Sequence, residues 1–360
     1  MDIEVRRTEL ATTRRVESSA ADLEEGQALF RIDTFGLSMN NVSFGVTGEM
    51  LGYWKLFPAS GDGWGRITVF GFADVVESRH PDVEVGTRVF GYLPMSNHLV
   101  VEPARVNERG FFDGSTHRRD VIAPVWNHYQ SVSSDSPQDR AHEAQRSLLG
   151  PLFVTGYLID DFIDDNAAFG ADTIVVSTSS SKTAIAAAFC IARRGGRQLV
   201  GLTAPERVEF VSRLGLYDLV LSYDDLANLP GQRAIYVDFS GVMPLREAIH
   251  DRYGNGLVHS MVAGMSHVDD AAGLVAPKPA VGANPEVFMA PLQVQKRAKD
   301  WGQSVFDSRR DAAWELFVAF TDDWLTITSD RGVDAVEGAW QALVRGDVDP
   351  ASGYQLTMWP

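Results

Sequence analysis

The sequence predicts a two-domain α/β protein in which a β-rich, barrel-like domain is joined to a doubly wound parallel sheet. Three observations carry that expectation. From Ala28 to Arg105 short apolar runs are broken by glycine-bearing turns, and after Thr173 short β-branched runs alternate with helical segments. The third is length: a chain of 360 residues, 45% hydrophobic and 22% charged, can bury a sizeable core and suits two domains better than one.

The elements follow in order. ALFRIDTFGL, RITVFGFADVVES, VEVGTRVFGYL and NHLVVEPARV read as strands of the barrel. Residues 107 to 145 read as a polar connector without a clear strand, which puts the first boundary near residue 140. SLLGPLFVTGYLIDDFIDDN has apolar residues at helical spacing and two acidic pairs near its end. TIVVS then precedes the helix KTAIAAAFCIARR, RQLVGL precedes PERVEFVSRLG, YDLVLSY precedes a loop, and AIYVDFSG precedes PLREAIHDRYG and LVHSMVAG. Strands spaced by helices of this length form a parallel, Rossmann-like sheet covered on both faces. QVQKRAKDWGQSVFDSRRDAAWELFVAF predicts one or two amphipathic helices, and WLTITS and YQLTMWP predict strands that return to the first domain. The division expected is therefore 1–140 with 318–360 for the barrel and 141–317 for the nucleotide fold.

Composition narrows the function. A formal net charge of -16 disfavours nucleic acid and anionic membranes, which both select clustered Lys and Arg, and leaves small molecules as the expected ligands. No apolar stretch approaches the roughly 20 residues that span a bilayer, and MDIEVRRTELATTRR has no secretory core, so a cytoplasmic location is expected. The single cysteine, Cys190, excludes a disulfide framework, and eight scattered histidines with no HExxH pattern give no metal site.

The chemistry centres on VVSTSSSKTA, where a strand feeds a helix through serines instead of glycines. Such a turn offers backbone N–H groups and a helix dipole to an anion, and the hydroxyls of Ser179, Ser180, Ser181 and Thr183 are further donors. Lys182 in the first helical turn opposes the dipole, which is better explained if a bound phosphate offsets it. The plainer alternative is an N-cap serine with a solvated lysine. SKT also echoes the end of a P-loop, and Ser179 with Lys182 matches SxxK, but the former lacks both glycines and the latter is too short to be specific. After the second strand, GLTAPER contains no Asp, and Glu206 falls within the next helix. NAD enzymes place an acid there for the ribose hydroxyls, so NADP(H) is the cofactor favoured.

These stretches resemble the medium-chain dehydrogenase/reductase superfamily, zinc-free and quinone-reductase-like. ALFRIDTFGLSMNNVSFG resembles its strand leading to SLNYKD, VEVGTRVFGYLPMSNHLVVEPARV its "vGdrVfg…yaeyv.vp" block, RQLVGLTAPERVEFVSRLGLYDLVLSY its second and third Rossmann strands, and YVDFSG its "lDsvG" turn. WNHYQ, PLFVTGYLIDDFIDDN, SSSKTA and VFMAPLQVQKRAKDWG are similar to a narrower, uncharacterised branch. The resemblance implies a GroES-like β-barrel domain plus a Rossmann-like domain, with Ser179 to Ala184 standing where the superfamily has AxGGVG. It implies Arg207 at the extra phosphate of NADPH, Tyr223 against the adenosine and Thr155 near the nicotinamide, with Ser240 and Gly264 at strand ends on the same side. Arg207 could equally be a surface residue paired with an acidic neighbour.

The resemblance further implies hydride transfer from NADPH to an activated carbonyl or conjugated alkene, with hydrogen-bond donors on the developing oxyanion. Asn40 matches the asparagine of SLNYKD, while Asn41 replaces its tyrosine. Asn127 and Tyr129 belong to the branch motif, and Tyr129 is a candidate to supply the missing phenol. Asn in a loop usually caps backbone and Tyr is usually core, so these two carry ordinary structural readings as well. The alternatives are a non-catalytic descendant of the fold and a non-redox enzyme of the retro-aldol type. A homodimer is expected by analogy, with LVHSMVAG as the sheet edge.

Overall fold

The computed structural model describes residues 1–17, 22–119, 127–132, 140, 142–264 and 281–360. Two stretches of the expected connector, 120–126 and 133–139, lie outside the described residues. The chain divides into two compact units: Met1–Leu148 with Leu325–Pro360, and Leu149–Trp324. These divisions fall later than the expected 140 and 317, and a single helix, Glu143–Asp165, runs through the first of them.

Unit 1 contains β1 (Asp2–Arg6), β2 (Glu9–Val16), β3 (Ala28–Leu37), β4 (Trp64–Gly65), β5 (Thr68–Ser78), β6 (Arg88–Pro94), β7 (His98–Val101), β8 (Pro103–Asn107), β9 (Gly110–Asp113) and β10 (His128–Val132). Unit 2 contains β11 (Thr173–Ser177), β12 (Gln198–Thr203), β13 (Leu219–Ser222), β14 (Ala234–Asp238), β15 (Leu257–Val262) and β16 (Pro285–Val287). The chain then contributes β17 (Thr326–Arg331) and β18 (Ser352–Thr357) to unit 1.

The unit 1 sheet runs β17-β18-β3-β5-β6-β10-β9-β8, with β7 on β3 and a separate β2-β1-β4 sheet. Alternation builds its core: Phe30, Ile32, Val69, Ala73, Val89 and Leu93 point to one face and meet Ile3, Phe111, Trp340 and Leu356. The polar connector does hold strands. β9 and β10 pair with each other and β10 pairs with β6, but GFFD is too short to show a period of two. β1 and β2 are likewise strands that the charged N-terminus concealed: the buried Ile3 and Val5 of β1 alternate with Asp2, Glu4 and Arg6, and β2 buries no residue fully.

The unit 2 sheet is parallel throughout, in the order β13-β12-β11-β14-β15-β16. Every residue of β11 and β14 is buried, as expected for strands covered on both faces. The helix Lys182–Arg194 buries Ala184 to Ile191 without interruption, its small side chains admitting close neighbours. The predicted amphipathic stretch is two helices, Ala290–Trp301 and Gln303–Thr321, separated at Gly302 with φ 83°. One expectation is corrected here: LVHSMVAG is not the sheet edge, because β16 pairs with β15 outside it. PEV is too short and too polar to read as a strand. Among the described residues no helix is long and apolar enough to cross a membrane.

Candidate functional site

Parallel pairing fixes where the strands of unit 2 end. Ser177 is in register with Leu202 and with Asp238, Thr203 with Ser222, and Asp238 with Val262, so the carboxyl ends of five strands share one edge. Strand order reverses between β11 and β14, and at such a switch point an open α/β sheet binds its ligands. The serine turn lies there.

Its donors divide into two groups. The Ser179 N–H and hydroxyl both donate to the Leu202 carbonyl, each at 2.9 Å, and Ser179 is fully buried. Thr178 shares a hydrogen bond with the Tyr223 hydroxyl, and the Ser180 hydroxyl accepts from Thr203 at 3.2 Å. Ser181 is the N-cap of the helix Lys182–Arg194, accepting from the Ala184 N–H at 3.3 Å. As acceptors, Ser180 and Ser181 retain their own hydroxyl protons. The N–H groups of Ser180 and Thr183 have no backbone acceptor among the described residues and belong to the open end of the helix. Lys182 and Thr183 are partly exposed beside them. The first glycine of the usual turn has a counterpart across the sheet: a Cβ on Gly201 would lie 3.2 Å from the Ser179 Cβ and 3.0 Å from the Tyr217 ring.

Arg207 follows β12 in a short 3-10 turn, half-exposed. Its guanidinium makes no ion pair among the described residues; Glu209, a possible neighbour, faces Arg213 at 3.9 Å instead. Tyr223 follows β13, and burial pushes its phenol up to about 12. Gly264 lies just beyond β15, with Phe239 the nearest side chain.

The structure gives several other candidates structural work. Ser240 is fully buried, and both its N–H and its hydroxyl donate to Asp238 Oδ1, at 2.8 and 2.7 Å. The Thr155 hydroxyl donates to the Pro151 carbonyl of its own helix at 3.2 Å. In unit 1, Tyr129 is 1% exposed, donates to the Tyr92 carbonyl at 2.8 Å and accepts from Arg118 at 2.7 Å. Asn127 is buried and donates to the Asp113 carbonyl. So enclosed, Tyr129 ties β10 to β6 and to Arg118, and Asn127 ties the start of β10 to Asp113. Asn40 differs. It is partly exposed on the helix Met39–Val46 and its side chain has no partner among the described residues, whereas Asn41 accepts from the Ser38 N–H and donates to the Thr68 carbonyl.

Sequence reasoning missed the group beneath the turn. Asp238, fully buried at the end of β14, receives Arg246 through Nε at 2.9 Å and Nη2 at 2.7 Å, and its other oxygen takes Ser240 and Gly241. Ser177 reaches the Tyr236 hydroxyl at 2.5 Å and Asp238 at 3.4 Å, so the end of β11 is tied to β14 by side chains as well as by the sheet. An Asp closing an apolar strand, followed by an Arg one or two helical turns later, was the available signal. Among the described residues no group of three or more His, Cys, Asp or Glu is placed to hold a metal ion.

The sequence matches the family described as "Protein of unknown function (DUF2855)" over residues 35–349. The chain belongs to this family. No curated protein matches it. Among solved structures it is similar to CurA from Vibrio vulnificus in complex with NADPH, 13% identical over 97% of this chain and 95% of that one, with TM-score 0.62. It is also similar to the JamJ enoyl reductase in its apo form, 12% identical over 97% and 95%, with TM-score 0.55. The yhdH oxidoreductase from Salmonella enterica in complex with NADP is 14% identical over 96% and 94%, with TM-score 0.50. At these identities the likeness establishes the fold alone, a GroES-like barrel with a Rossmann-like domain.

The donor set of this DUF2855 chain fits a phosphorylated dinucleotide. Among the described residues, N–H groups and hydroxyl protons without an acceptor lie at the switch point, Arg207 has no ion partner beyond β12, and Thr203 and Ala204 stand where an NAD enzyme has its acid.

Proposed function

We propose that the protein is an NADPH-dependent, zinc-independent reductase of activated carbonyls or conjugated alkenes, of the quinone or enone type. The observation that carries this reading is the guanidinium of Arg207, without an ion partner among the described residues, beyond the same sheet edge that holds the serine turn. The N–H groups of Ser180 and Thr183, the hydroxyl of Ser181 and the Lys182 ammonium would hold the pyrophosphate. Arg207 would hold the 2′-phosphate, and the Tyr223 ring would lie at the adenosine. Bound NADPH supplies the hydride. Thr155 and Gly264 fall to the nicotinamide end, and Asn40 in unit 1 donates to the substrate oxygen as charge develops on it. Three solved structures of the same fold, CurA, JamJ and yhdH, are an NADPH complex, an enoyl reductase and an NADP complex, which supports the reading. The proposal includes a cytoplasmic homodimer acting on a small molecule, joined at the exposed edge of β16, where Val287 is 50% exposed.

A non-redox or non-catalytic descendant is the second reading, favoured by the self-satisfied hydroxyls of Thr178 and Ser179. Titration of NADPH and NADH, followed by thermal shift and tryptophan fluorescence, separates the two. Wild type should bind NADPH more tightly than NADH, Arg207→Ala should abolish that preference, and Lys182→Ala should weaken both by about tenfold or more, the worth of a charged hydrogen bond. No response to NADPH would overturn the reductase reading.

A further inference from the structure

One hydrogen bond at the carboxyl edge of the unit 2 sheet joins strands that are not neighbours. β12 lies between β11 and β13, with Leu202 in register with Ser177 and Thr203 with Ser222. Neighbouring strands are about 4.8 Å apart, so β11 and β13 are separated by about 10 Å. The hydroxyl of Tyr223, the residue after β13, nevertheless meets the hydroxyl of Thr178, the residue after β11. To reach it the Tyr223 side chain runs across the end of β12, where Thr203 and Ala204 stand.

Three contacts hold the ring there. It packs against the apolar cluster that contains Val200, Leu202 and Leu245. Ser222 accepts the Asp224 N–H at 3.3 Å and so fixes the start of the 3-10 turn Tyr223–Asn228. Thr178, 9% exposed, anchors the tip of the phenol, and neither hydroxyl has another hydrogen-bond partner among the described residues. The Thr203 hydroxyl, close by, donates to Ser180 instead at 3.2 Å. The end of β12 is thus crossed by a partly exposed aromatic ring, packed on the core and tied at its far end. A ring held in this way is a flat surface on which a base can stack.

We propose that Thr178 is a positioning residue for the adenosine half of the dinucleotide: its hydroxyl fixes the Tyr223 ring across the end of β12, and the adenine stacks on the ring so held. The inference rests on the NADPH-binding part of the reductase reading. The Tyr223 hydroxyl serves the protein in this arrangement, and the ligand meets only the ring. Holding a side chain beforehand in the rotamer it has in the complex removes an ordering cost from binding, worth about two- to tenfold in affinity.

Titrations of NADPH, NADH and 2′,5′-ADP, read by calorimetry, test it. Thr178→Val and Tyr223→Phe should each weaken all three by about fivefold, so the preference for NADPH over NADH is kept. The double variant should bind no more weakly than either single one, because one tie is lost in every case. Thr178→Ser, which keeps the hydroxyl, should stay within twofold of wild type, and reduced nicotinamide mononucleotide, which lacks the adenosine, should bind all of them alike. Should Thr178→Val fail to fold, Thr178→Ser and Tyr223→Phe carry the comparison. If wild type binds NADPH and Tyr223→Phe stays within twofold of it, or if Tyr223→Phe loses affinity while a folded Thr178→Val does not, the proposal falls and the reductase reading stands. Losses that multiply in the double variant overturn it as well. Failure of wild type to bind NADPH overturns both.

Discussion

Individual residues show how far chemistry can be read from spelling. The serine turn was legible because strand, turn and helix each have a period or a cap, and Ser181 does cap the helix Lys182–Arg194. The roles of neighbouring hydroxyls were not legible, since nothing in SSSK says that Ser179 faces the Leu202 carbonyl while Ser181 faces its own helix. Tyr129 shows the same limit: its motif is specific, but whether a phenol meets substrate or Arg118 depends on strands brought from elsewhere in the chain. Asp238 gives the sharpest test at this scale. Asp238→Asn keeps the shape yet leaves Arg246, 2% exposed, without its counter-charge, and should cost about 3 kcal/mol or more, seen as a lowered midpoint in denaturant.

At the level of elements, helices of strong periodicity were foreseen and short strands were not. β9 and β16, of four and three residues, were invisible because neither is long enough to alternate, and β16 thereby displaced β15 from the edge. The acidic pairs of the helix Glu143–Asp165 turn out to be helix-to-helix ties. Asp161 receives Gln293 and Arg297, Asp165 receives Lys296, and Asp160 receives Arg194. Two motifs of the narrower branch, LIDDFIDDN and LQVQKRAKDW, are thus partners in one interface. A second contact sets the spacing of the same helix: a Cβ on Gly156 would come 2.5 Å from the Ala187 nitrogen and 2.7 Å from the Ala186 carbonyl carbon. Backbone cannot yield as a side-chain tip can, so Gly156→Ala should destabilise the protein by about 1–3 kcal/mol, measurable as a fall in Tm.

For the whole molecule, fold class and the two-part organisation were readable because they depend on the order of elements, which the sequence displays directly. Acid sensitivity depends on packing. Burial holds His250 and His259 below the ordinary value of 6.5, for His250 against its Nδ1–H bond to the Val281 carbonyl, with Ser260 donating to Nε2. The unfolded chain therefore takes up protons before the folded one does, and stability should fall as pH drops through 6.5 toward the lowered values. Tm followed across that range should decline, and less steeply in His259→Phe, which keeps the stack on Phe169, at 4.3 Å, without a titrating group.

The return of β17, β18 and the helix Val333–Arg345 to unit 1 has a kinetic corollary. Trp340, fully buried, donates to the Leu10 carbonyl, and β18 lies against β3, so the earliest-made part of the barrel waits for the last-made part. During vectorial synthesis on a ribosome, unit 2 has all of its strands while the barrel still exposes Phe35 and Leu37 along an unpaired margin. A nascent chain arrested before β17 should accordingly yield a protease-resistant core from its later half, with its amino-terminal third still cleavable.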